Sequence, residues 1–478
     1  MPASPAPAPQ TAPATAQPPQ RHPVDQVLPP VRLFTSGLQH VAAMYAGVVA
    51  PPLVIGKAVG LSATELTFLV GASLFTAGLA TLLQTIGFWK VGARLPFVNG
   101  VSFAGVAPMV AIADSTDHRD SLPVMFGAVI VAGALGFVAA PYFSKLVRFF
   151  PPVVTGSVIT LIGVSLLPVA IGWIAGNDPA HPAAGLSDIA LAAITLVVVL
   201  ALRRLLTGFL QQIAVLIGLV VGTVIAVPFG KTDFTPITKA SVIGFPTPFH
   251  FGAPQFQIPA IVSMCIVMLV CLTESTADIL ALGKVVEKPA DEATLAAGLR
   301  ADTLGSAISP LFNGFANSAF AQNIGLVAIT RVRSRFVVAA GGMLLIVMGL
   351  CPVLASLIAL VPGPVLGGAG IVLFGTVAAS GVKTLAEADL DDGNNLLVMG
   401  VALGVGIIPI VAEHFYDGID PRLQIVLKSG ISTGCLVAVV LNLLFNHLGR
   451  KRALPDGAEQ AEALAEAVPS SRETVELT

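Results

Sequence analysis

Long apolar runs repeat along nearly the whole chain, and short groups of charged residues, prolines and glycines separate them. A continuous apolar run of about 20 residues has the length of a helix that crosses a bilayer. The pattern therefore predicts fourteen membrane spans, seven in each half of the chain. Their predicted bounds are 33–55, 63–87, 97–112, 122–143, 151–171, 186–202, 211–228, 258–283, 296–311, 317–331, 336–358, 363–381, 395–411 and 423–447.

The third and tenth predicted spans are short, and polar residues interrupt both. The third begins Leu95-Pro-Phe-Val-Asn99, and the tenth begins Asn317-Ser-Ala-Phe-Ala-Gln-Asn323. Side-chain amides are costly in hydrocarbon when they lack partners. We expect an extended segment followed by a half-helix in each span, with the two helix N-termini facing a polar planar ligand. Hydrogen bonding between helices would satisfy the same amides and is the alternative.

The fifth and twelfth predicted spans resemble one another. With a shift of 212 positions, six residues of the fifth span are identical to residues of the twelfth. The pairs are Pro152 and Pro364, Val153 and Val365, Gly156 and Gly368, Ile159 and Ile371, Leu161 and Leu373, and Gly163 and Gly375. Because seven spans are an odd number, the two halves must insert with opposite orientation. Such inverted repeats are typical of transporters whose substrate site lies near mid-membrane.

The predicted architecture is an all-α membrane protein of two inverted repeats, with short strands in the broken third and tenth spans. Residues 30–230 form the first repeat, residues 257–449 form the second, and residues 231–256 form a loop on the outer side. The Pro/Ala-rich tail 1–29 has no core to bury, so we expect it to be disordered. We expect the acidic tail 450–478 to lie in the cytoplasm.

Composition agrees with a membrane protein. The chain has 478 residues, of which 55% are hydrophobic and 11% charged, whereas ordinary soluble domains have about 25% charged residues. The net charge of -2 gives no indication of a nucleic-acid partner. The four cysteines lie in apolar runs without the spacing of metal ligands, so we interpret them as packing residues and expect no metal or cofactor. They are Cys265, Cys271, Cys351 and Cys435.

The distribution of basic residues predicts the orientation in the membrane. If both termini are cytoplasmic, only six of the 25 lysines and arginines fall on the outer side, as the positive-inside rule requires. These six are Lys57, Arg119, Lys231, Lys239, Arg422 and Lys428. The N-terminal segment lacks the basic start and apolar centre of a signal peptide. We expect a multi-pass protein of a plasma membrane, with a bacterial inner membrane favoured.

Two carboxylates lie inside the eighth predicted span. Glu274 and Asp278 are four residues apart and so share one face of a helix. Buried carboxylates are costly unless they face a wet cavity or hold protons, which favours a ligand site with a proton or cation site beside it. Pairing with a Lys or Arg is the alternative, although no basic residue is evident at that depth.

Two further ionisable residues lie within predicted spans, and each has two interpretations. Asp302 is either an N-cap at the cytoplasmic start of the ninth span or a coupling residue. His40 in the first span either relays protons or is a neutral side chain bonded to another helix.

Several classes of protein lack support. The chain has no Walker A lysine motif, no H-E-x-x-H motif and no Cys/His cluster, which argues against an ATP-driven pump or a membrane enzyme. Rings of charge or carbonyl filters typical of channels are not apparent. An anion transporter of similar architecture and a non-transporting membrane scaffold are the remaining rivals, and Glu274 argues against an anion as the ligand.

One stretch resembles a known motif. The sequence Gln322-Asn323-Ile-Gly325, followed after four residues by Thr330 and Arg331, resembles the signature of the nucleobase–ascorbate transporter family. The segments Gly37-Leu-Gln-His40, Gly100-Val-Ser-Phe103-Ala and Glu274-x-x-x-Asp278 also look like family positions. The resemblance covers residues of about 30–450, which is all but the tails.

The resemblance implies a fold, a function and site residues. Spans one to four and eight to eleven would form a core domain, and the others a gate domain through which family members form homodimers. It implies that Glu274 and Gln322 bind the base through their side chains, while Ser102, Phe103 and Ala321 contact it around the helix starts. The positions that it implies for coupling, affinity or folding are His40, Asp278, Asp302 and Asn323.

The implied function is proton- or cation-coupled symport of a nucleobase. Gln322 and Asp278 are similar to the purine type of the family, whereas uracil carriers tend to have Glu and His at these positions. An amide offers both a donor and an acceptor, which suits an oxidised purine. We therefore expect xanthine and/or urate as substrate, with a uracil or pyrimidine symporter as the alternative. The sequence does not decide between protons and sodium.

Overall fold

The computed structural model describes residues 22–143, 149–176, 184–232, 234, 237–238 and 241–448. The predicted C-terminal tail and most of the N-terminal tail lie outside these residues. In the first half the helices are α1 (Pro30–Ala58), α2 (Ala63–Thr85), α3 (Val106–Ser115), α4 (His118–Ala139), α5 (Pro152–Ala175), α6 (Leu186–Leu205), α7 (Gly208–Gln212) and α8 (Ala214–Ala226). In the second half they are α9 (Ile258–Val285), α10 (Glu292–Ile308), α11 (Ala321–Thr330), α12 (Arg335–Gly349), α13 (Pro352–Ala359), α14 (Gly363–Leu385), α15 (Gly393–Val411), α16 (Pro421–Leu427) and α17 (Gly430–Asn442).

The fold is a mostly helical membrane protein. Within the described residues, nine helices are long and apolar enough to cross a bilayer, and four more are apolar but only 10–17 residues long. Two long predicted spans are divided. Pro352 follows a break after α12, because proline has no N–H to continue the ladder of helix hydrogen bonds. Ser429 caps α17 and so separates it from α16.

The helices pack into two bundles. The strand bundle contains α1–α4 and α9–α13, and the second bundle contains α5–α8, α14, α15 and α17. Contacts in one half have counterparts in the other. Helix α1 packs on α12 as α9 packs on α4, and α2 packs on α12 as α10 packs on α4. In the second bundle, α6 packs on α14 as α15 packs on α5, and α5 packs directly on α14.

Glycines allow the close approach of α5 and α14. A Cβ on Gly163 would lie 2.2 Å from the backbone nitrogen of Ala378, and one on Gly381 would lie 2.2 Å from that of Thr160. Of the glycines matched between the fifth and twelfth spans, Gly375 alone has open space around it. The two helices therefore pack backbone to backbone, which only small residues permit.

Two short strands cross at the centre of the strand bundle. Strand β1 (Asn99–Val101) pairs antiparallel with β2 (Asn317–Ala319), with Gly100 opposite Ser318. Each strand leads into a half-helix, α3 and α11. An isolated pair of three-residue strands would not be stable in water, so the surrounding helices must hold it.

Hydroxyl groups of α2 and α10 hold the strands in place. Thr81 Oγ1 accepts a bond from the Asn99 N–H (3.1 Å) and donates to the Asn99 carbonyl (3.0 Å). Ser306 Oγ accepts from the Asn317 N–H (2.9 Å) and lies 3.2 Å from the Asn317 carbonyl. The two strands thus receive the same support from equivalent helices, which satisfies backbone groups that are fully buried.

Candidate functional site

The two carboxylates of α9 face a cavity. Glu274 and Asp278 lie one turn apart and both line a space of about 360 Å³, which we call the site cavity. Neither side chain has a hydrogen bond or an ion pair with any described residue. The alternative of a Lys or Arg pairing is therefore wrong within the described part of the chain. Two half-buried carboxylates without partners are available to a ligand or a proton.

The start of α11 forms a second side of the site cavity. Phe320 is the N-cap, and its side chain makes no capping hydrogen bond. The first N–H groups of a helix have no partners within the helix, so this end can donate to a ligand. Ala321 and Gln322 are exposed at this end and line the cavity. Helix start, amide and carboxylates thus meet around one space.

Phe103 brings the first half into the same site cavity. It begins a short 3₁₀ turn, Phe103–Gly105, between β1 and α3, and it lines the cavity while half-buried among apolar neighbours. Its ring lies edge-on to Phe374 of α14, with 6.0 Å between the ring centroids. The Phe103 ring therefore reaches from the strand bundle toward the second bundle.

Ser102 does not line the site cavity. Its hydroxyl accepts a bond from the Ala104 N–H (3.2 Å) and lies 3.3 Å from Cys271 Sγ, and the residue is buried. The lining of the cavity therefore does not support the expected contact between Ser102 and a ligand. Ser102 caps the turn that presents Phe103.

The second bundle supplies the opposite wall. Thr155 of α5, Thr376, Ser380 and Thr384 of α14, and Arg203 of α6 line the site cavity. The cavity consequently lies between the two bundles, with carboxylates and an amide on one side and hydroxyls and a guanidinium on the other. The sequence analysis missed this wall. Its signal is a row of hydroxyl residues on one face of an otherwise apolar α14, at positions 376, 380 and 384.

His40 and Asn323 are bonded to one another behind the cavity wall. The Asn323 amide nitrogen lies 3.1 Å from His40 Nδ1 and donates to the His40 carbonyl at 3.1 Å. Both residues are buried, and they tie α1 to α11. Of the two interpretations of His40, the contacts favour a side chain bonded to another helix. The bond also fixes the position of Asn323, the neighbour of Gln322 in the sequence.

Asp302 is not an N-cap, and that interpretation is wrong. Helix α10 begins ten residues earlier, where Asp291 accepts from the Thr294 N–H (2.8 Å). Asp302 lies in the helix interior, fully buried, and its Oδ1 accepts from Gln84 Nε2 and Asn99 Nδ2, each at 2.5 Å. The predicted span 296–311 already places Asp302 inside the helix, and the observed start at Glu292 places it deeper still.

Asp302, Gln84 and Asn99 form a polar cluster that connects the site to the helices holding the strands. Gln84 also donates to the Gly298 carbonyl (2.8 Å) and accepts from the Ala93 N–H (3.0 Å), so α2, α10 and β1 share one polar network. The second carboxylate oxygen of Asp302 has no hydrogen-bond partner in the described structure. Sequence analysis missed Gln84, whose only signal is an amide inside the apolar run of α2.

Two arginines that follow the motif, Arg333 and Arg335, lie at one end of the strand bundle. Arg335 donates to Asp25 (2.8 Å) and to the last carbonyls of α2, and Arg333 donates to Glu287 (2.6 Å). The hydrogen bond from Arg333 lowers the pKa of Glu287. These arginines therefore connect neighbouring loops and lie apart from the residues that line the site cavity.

Comparisons with known proteins place the chain among permeases. The sequence model of a family described as the permease family matches residues 31–414. The uric acid permease PucJ of Bacillus subtilis (strain 168) is 40% identical over 425 residues, which is 88% of this chain and 94% of that protein. The xanthine permease of the same organism is 38% identical over 431 residues, which is 90% of this chain and 98% of that protein.

A solved structure has the same fold at low sequence identity. The transmembrane domain of the cyanobacterial bicarbonate transporter BicA has a TM-score of 0.55 and 16% identity, over 88% of this chain and 99% of that chain. The likeness shows a shared fold.

Proposed function

The chain belongs to the permease family that the motif predicted, the nucleobase–ascorbate transporters, and we propose that it carries a purine nucleobase across a membrane. It is a transporter and not an enzyme. The observation that carries the proposal is the shared cavity of Glu274 and Gln322, a carboxylate without a partner and an exposed amide at a helix start.

The chemistry of this pair suits an oxidised purine. The Glu274 carboxylate accepts hydrogen bonds from ring N–H groups, and the Gln322 amide both donates and accepts. The N–H groups at the start of α11, near Ala321, bind a carbonyl oxygen of the ring, and the Phe103 ring covers its face. The relatives named for uric acid and xanthine support these two bases as substrates.

Coupling to protons is the second part of the proposal. Asp278 lies one helix turn from Glu274 in the same cavity and has no partner, so it can take up a proton when substrate enters. Asp302 sets the position of the strands during this proton uptake, and the His40–Asn323 pair sets the position of α11. In this scheme, one carboxylate changes protonation as the strand bundle moves against the second bundle, which are the core and the gate.

The paired contacts of the two halves support a further proposal about topology. We infer fourteen crossings arranged as two inverted repeats, residues 30–230 and 257–449, with residues 231–256 outside. Both termini lie on the cytoplasmic side of a bacterial inner membrane, and two copies of the chain form a homodimer through their gate domains. The support is that the main helix contacts named above occur as equivalent pairs in the two halves.

An uptake assay tests the function. Cells that lack their own carriers are given labelled xanthine, urate or uracil, with and without an uncoupler. We expect purine uptake that the uncoupler abolishes. Uptake that resists the uncoupler would contradict proton coupling, and uptake of uracil without any purine would overturn the substrate assignment.

Gln322 provides the matching test of specificity. Gln322→Glu should shift the preference among these bases while the amount of protein in the membrane stays within about twofold, since Gln322 is exposed and contributes little to packing. An equal loss of uptake for all bases, with unchanged protein level, would show that Gln322 does not select the base.

A further inference from the structure

The corner between α6 and α7 lies against the proposed site. Arg203 is in the last turn of α6, and Gly208 starts α7 with a φ of +61°, a left-handed conformation that glycine adopts freely. The Gln211 amide donates to the Arg203 carbonyl at 2.9 Å and so fixes the corner. On its other side, α7 packs on α11, where a Cβ on Gly325 would lie 3.6 Å from Gln212 Nε2.

Arg203 is the basic residue at this corner that reaches the site cavity. It lines the cavity together with Glu274 and Asp278, and it lines a smaller neighbouring cavity with Gln322 and Gln212. Its guanidinium has no hydrogen bond or ion pair with any described residue. Gln212 Oε1, in the smaller cavity, is buried without a hydrogen-bond partner in the described structure. Arg204, the next residue, lines neither cavity.

The two walls of the site offer different chemistry. A carboxylate such as Glu274 accepts hydrogen bonds from ring N–H groups, but it repels ring oxygens that carry negative charge. A guanidinium has five N–H donors in a planar fork and a permanent positive charge, which matches the oxygen-rich edge of an anionic oxidised purine. The second bundle therefore supplies the positively charged donor that the strand bundle lacks at this cavity.

We propose that Arg203 is a specificity-determining residue that favours the anionic form of an oxidised purine over uncharged bases. The proposal rests on the purine function proposed above and extends it to the charge of the substrate. The alternative role for Arg203 is that of its neighbour, a basic residue that fixes the orientation of a helix end. Arg204 shares the helix end and the charge but not the cavity, so it is the matched control.

The test measures binding of urate and xanthine to purified, reconstituted protein at mildly acidic pH, where urate is mostly a monoanion and xanthine mostly uncharged. An exposed charge pair contributes up to about 1 kcal/mol, so Arg203→Gln should weaken urate binding by about fivefold. Xanthine binding should change by less than about twofold. Arg203→Lys should retain part of the urate affinity, because the charge remains without the planar fork. Arg204→Gln should leave both affinities unchanged.

The outcomes separate this inference from the proposed function. If the unaltered protein binds urate and xanthine, but Arg203→Gln changes both equally or matches Arg204→Gln, the role of Arg203 is overturned and the purine function stands. If the unaltered protein binds neither base, the proposed function fails first. A larger urate loss in Arg203→Gln than in Arg203→Lys, with Arg204→Gln unchanged, supports the inference.

Discussion

The two broken segments, residues 99–115 and 317–330, have the same supporting contacts and different surfaces. In both, a three-residue strand precedes a half-helix, and a hydroxyl from the preceding long helix bonds the backbone of the first strand residue. Thr81 does this for Asn99, and Ser306 does it for Asn317. The supporting contacts are therefore shared, and the two segments differ in the residues that come after the strands.

The first segment is closed and the second is open. After β1, Ser102 caps a 3₁₀ turn, and the Asn99 side chain is bound to Asp302. After β2 the chain passes directly into α11, with no side-chain cap and with Ala321 and Gln322 exposed. The first segment thus uses its polar side chains for structure, while the second leaves Gln322 and the start of α11 available to a ligand.

The long helices next to these segments differ in the same way. Helix α1 contains no carboxylate, and its polar residue His40 is bonded to Asn323. Helix α9, which packs on α4 as α1 packs on α12, carries Glu274 and Asp278 without partners. The second half therefore holds most of the binding chemistry, and the first half mostly positions it.

The largest effect should come from removing the charge of Glu274, in the second half of the chain. Glu274→Gln replaces the charged acceptor of a hydrogen bond that contributes about 1.5–3 kcal/mol to substrate binding, and it puts an amide N–H₂ donor toward the ring N–H groups. Transport should fall to background while the protein still reaches the membrane. The control is Glu292→Gln, at an exposed position in the first turn of α10. Full transport by Glu274→Gln would remove the carboxylate from the proposed mechanism.

The next effect tests the crossing of the strands. A Cβ on Gly100 would lie 2.6 Å from Phe320 Cε2 and 2.7 Å from Val48 Cγ2. Such overpacking costs about 1–3 kcal/mol, so Gly100→Ala should lower the unfolding temperature in detergent and reduce transport. The control is Gly404→Ala in α15, where nothing lies within 4 Å of the new Cβ. Gly404→Ala should be neutral or slightly stabilising, because alanine favours a helix.

A third pair of variants sharpens the comparison of the two halves. Thr81→Val and Ser306→Ala each leave a buried strand N–H and carbonyl without their hydroxyl partner, at a cost of about 1–3 kcal/mol. Thermal unfolding should show similar losses for the two variants. Substrate affinity should fall more in Ser306→Ala, since β2 leads directly to Gln322. A greater loss of affinity in Thr81→Val would contradict the division of roles between the segments.

Sequence analysis could predict the binding face because its residues break the local pattern. Glu274, Asp278 and Gln322 stand out in apolar runs, and the cavity brings them together. The supporting contacts are harder to predict. Nothing in the sequence pairs Gln84 with Asp302, because that contact depends on how two helices pack across the bundle. In the sequence, Arg203 is only one of the basic residues that predict the orientation, because the corner that directs it toward the cavity is a tertiary feature.

The smallest expected effect comes from the N-caps of α2 and α10, the two helices that hold the strands. Helix α2 begins with a capping box, in which Ser62 Oγ accepts from the Glu65 N–H and Glu65 bonds back to the Ser62 N–H at 2.8 Å. Helix α10 depends on Asp291 alone. Loss of an N-cap costs about 1 kcal/mol, so Ser62→Ala and Asp291→Ala should destabilise the protein to a similar small extent at neutral pH.

Acid should weaken both caps. The hydrogen bond with Thr294 lowers the pKa of Asp291, so its contribution is present above its unfolded-state pKa and is lost as the pH falls through the folded-state pKa. The destabilisation by Asp291→Ala should then shrink in acid. That by Ser62→Ala should shrink as well, because the Ser62 hydroxyl donates to the Glu65 carboxylate at 2.6 Å and this bond weakens when Glu65 is protonated. Unfolding temperatures of both variants and the unaltered protein across that pH range measure the difference. If the destabilisation by Asp291→Ala is the same at every pH, Asp291 does not stabilise α10 through its charge.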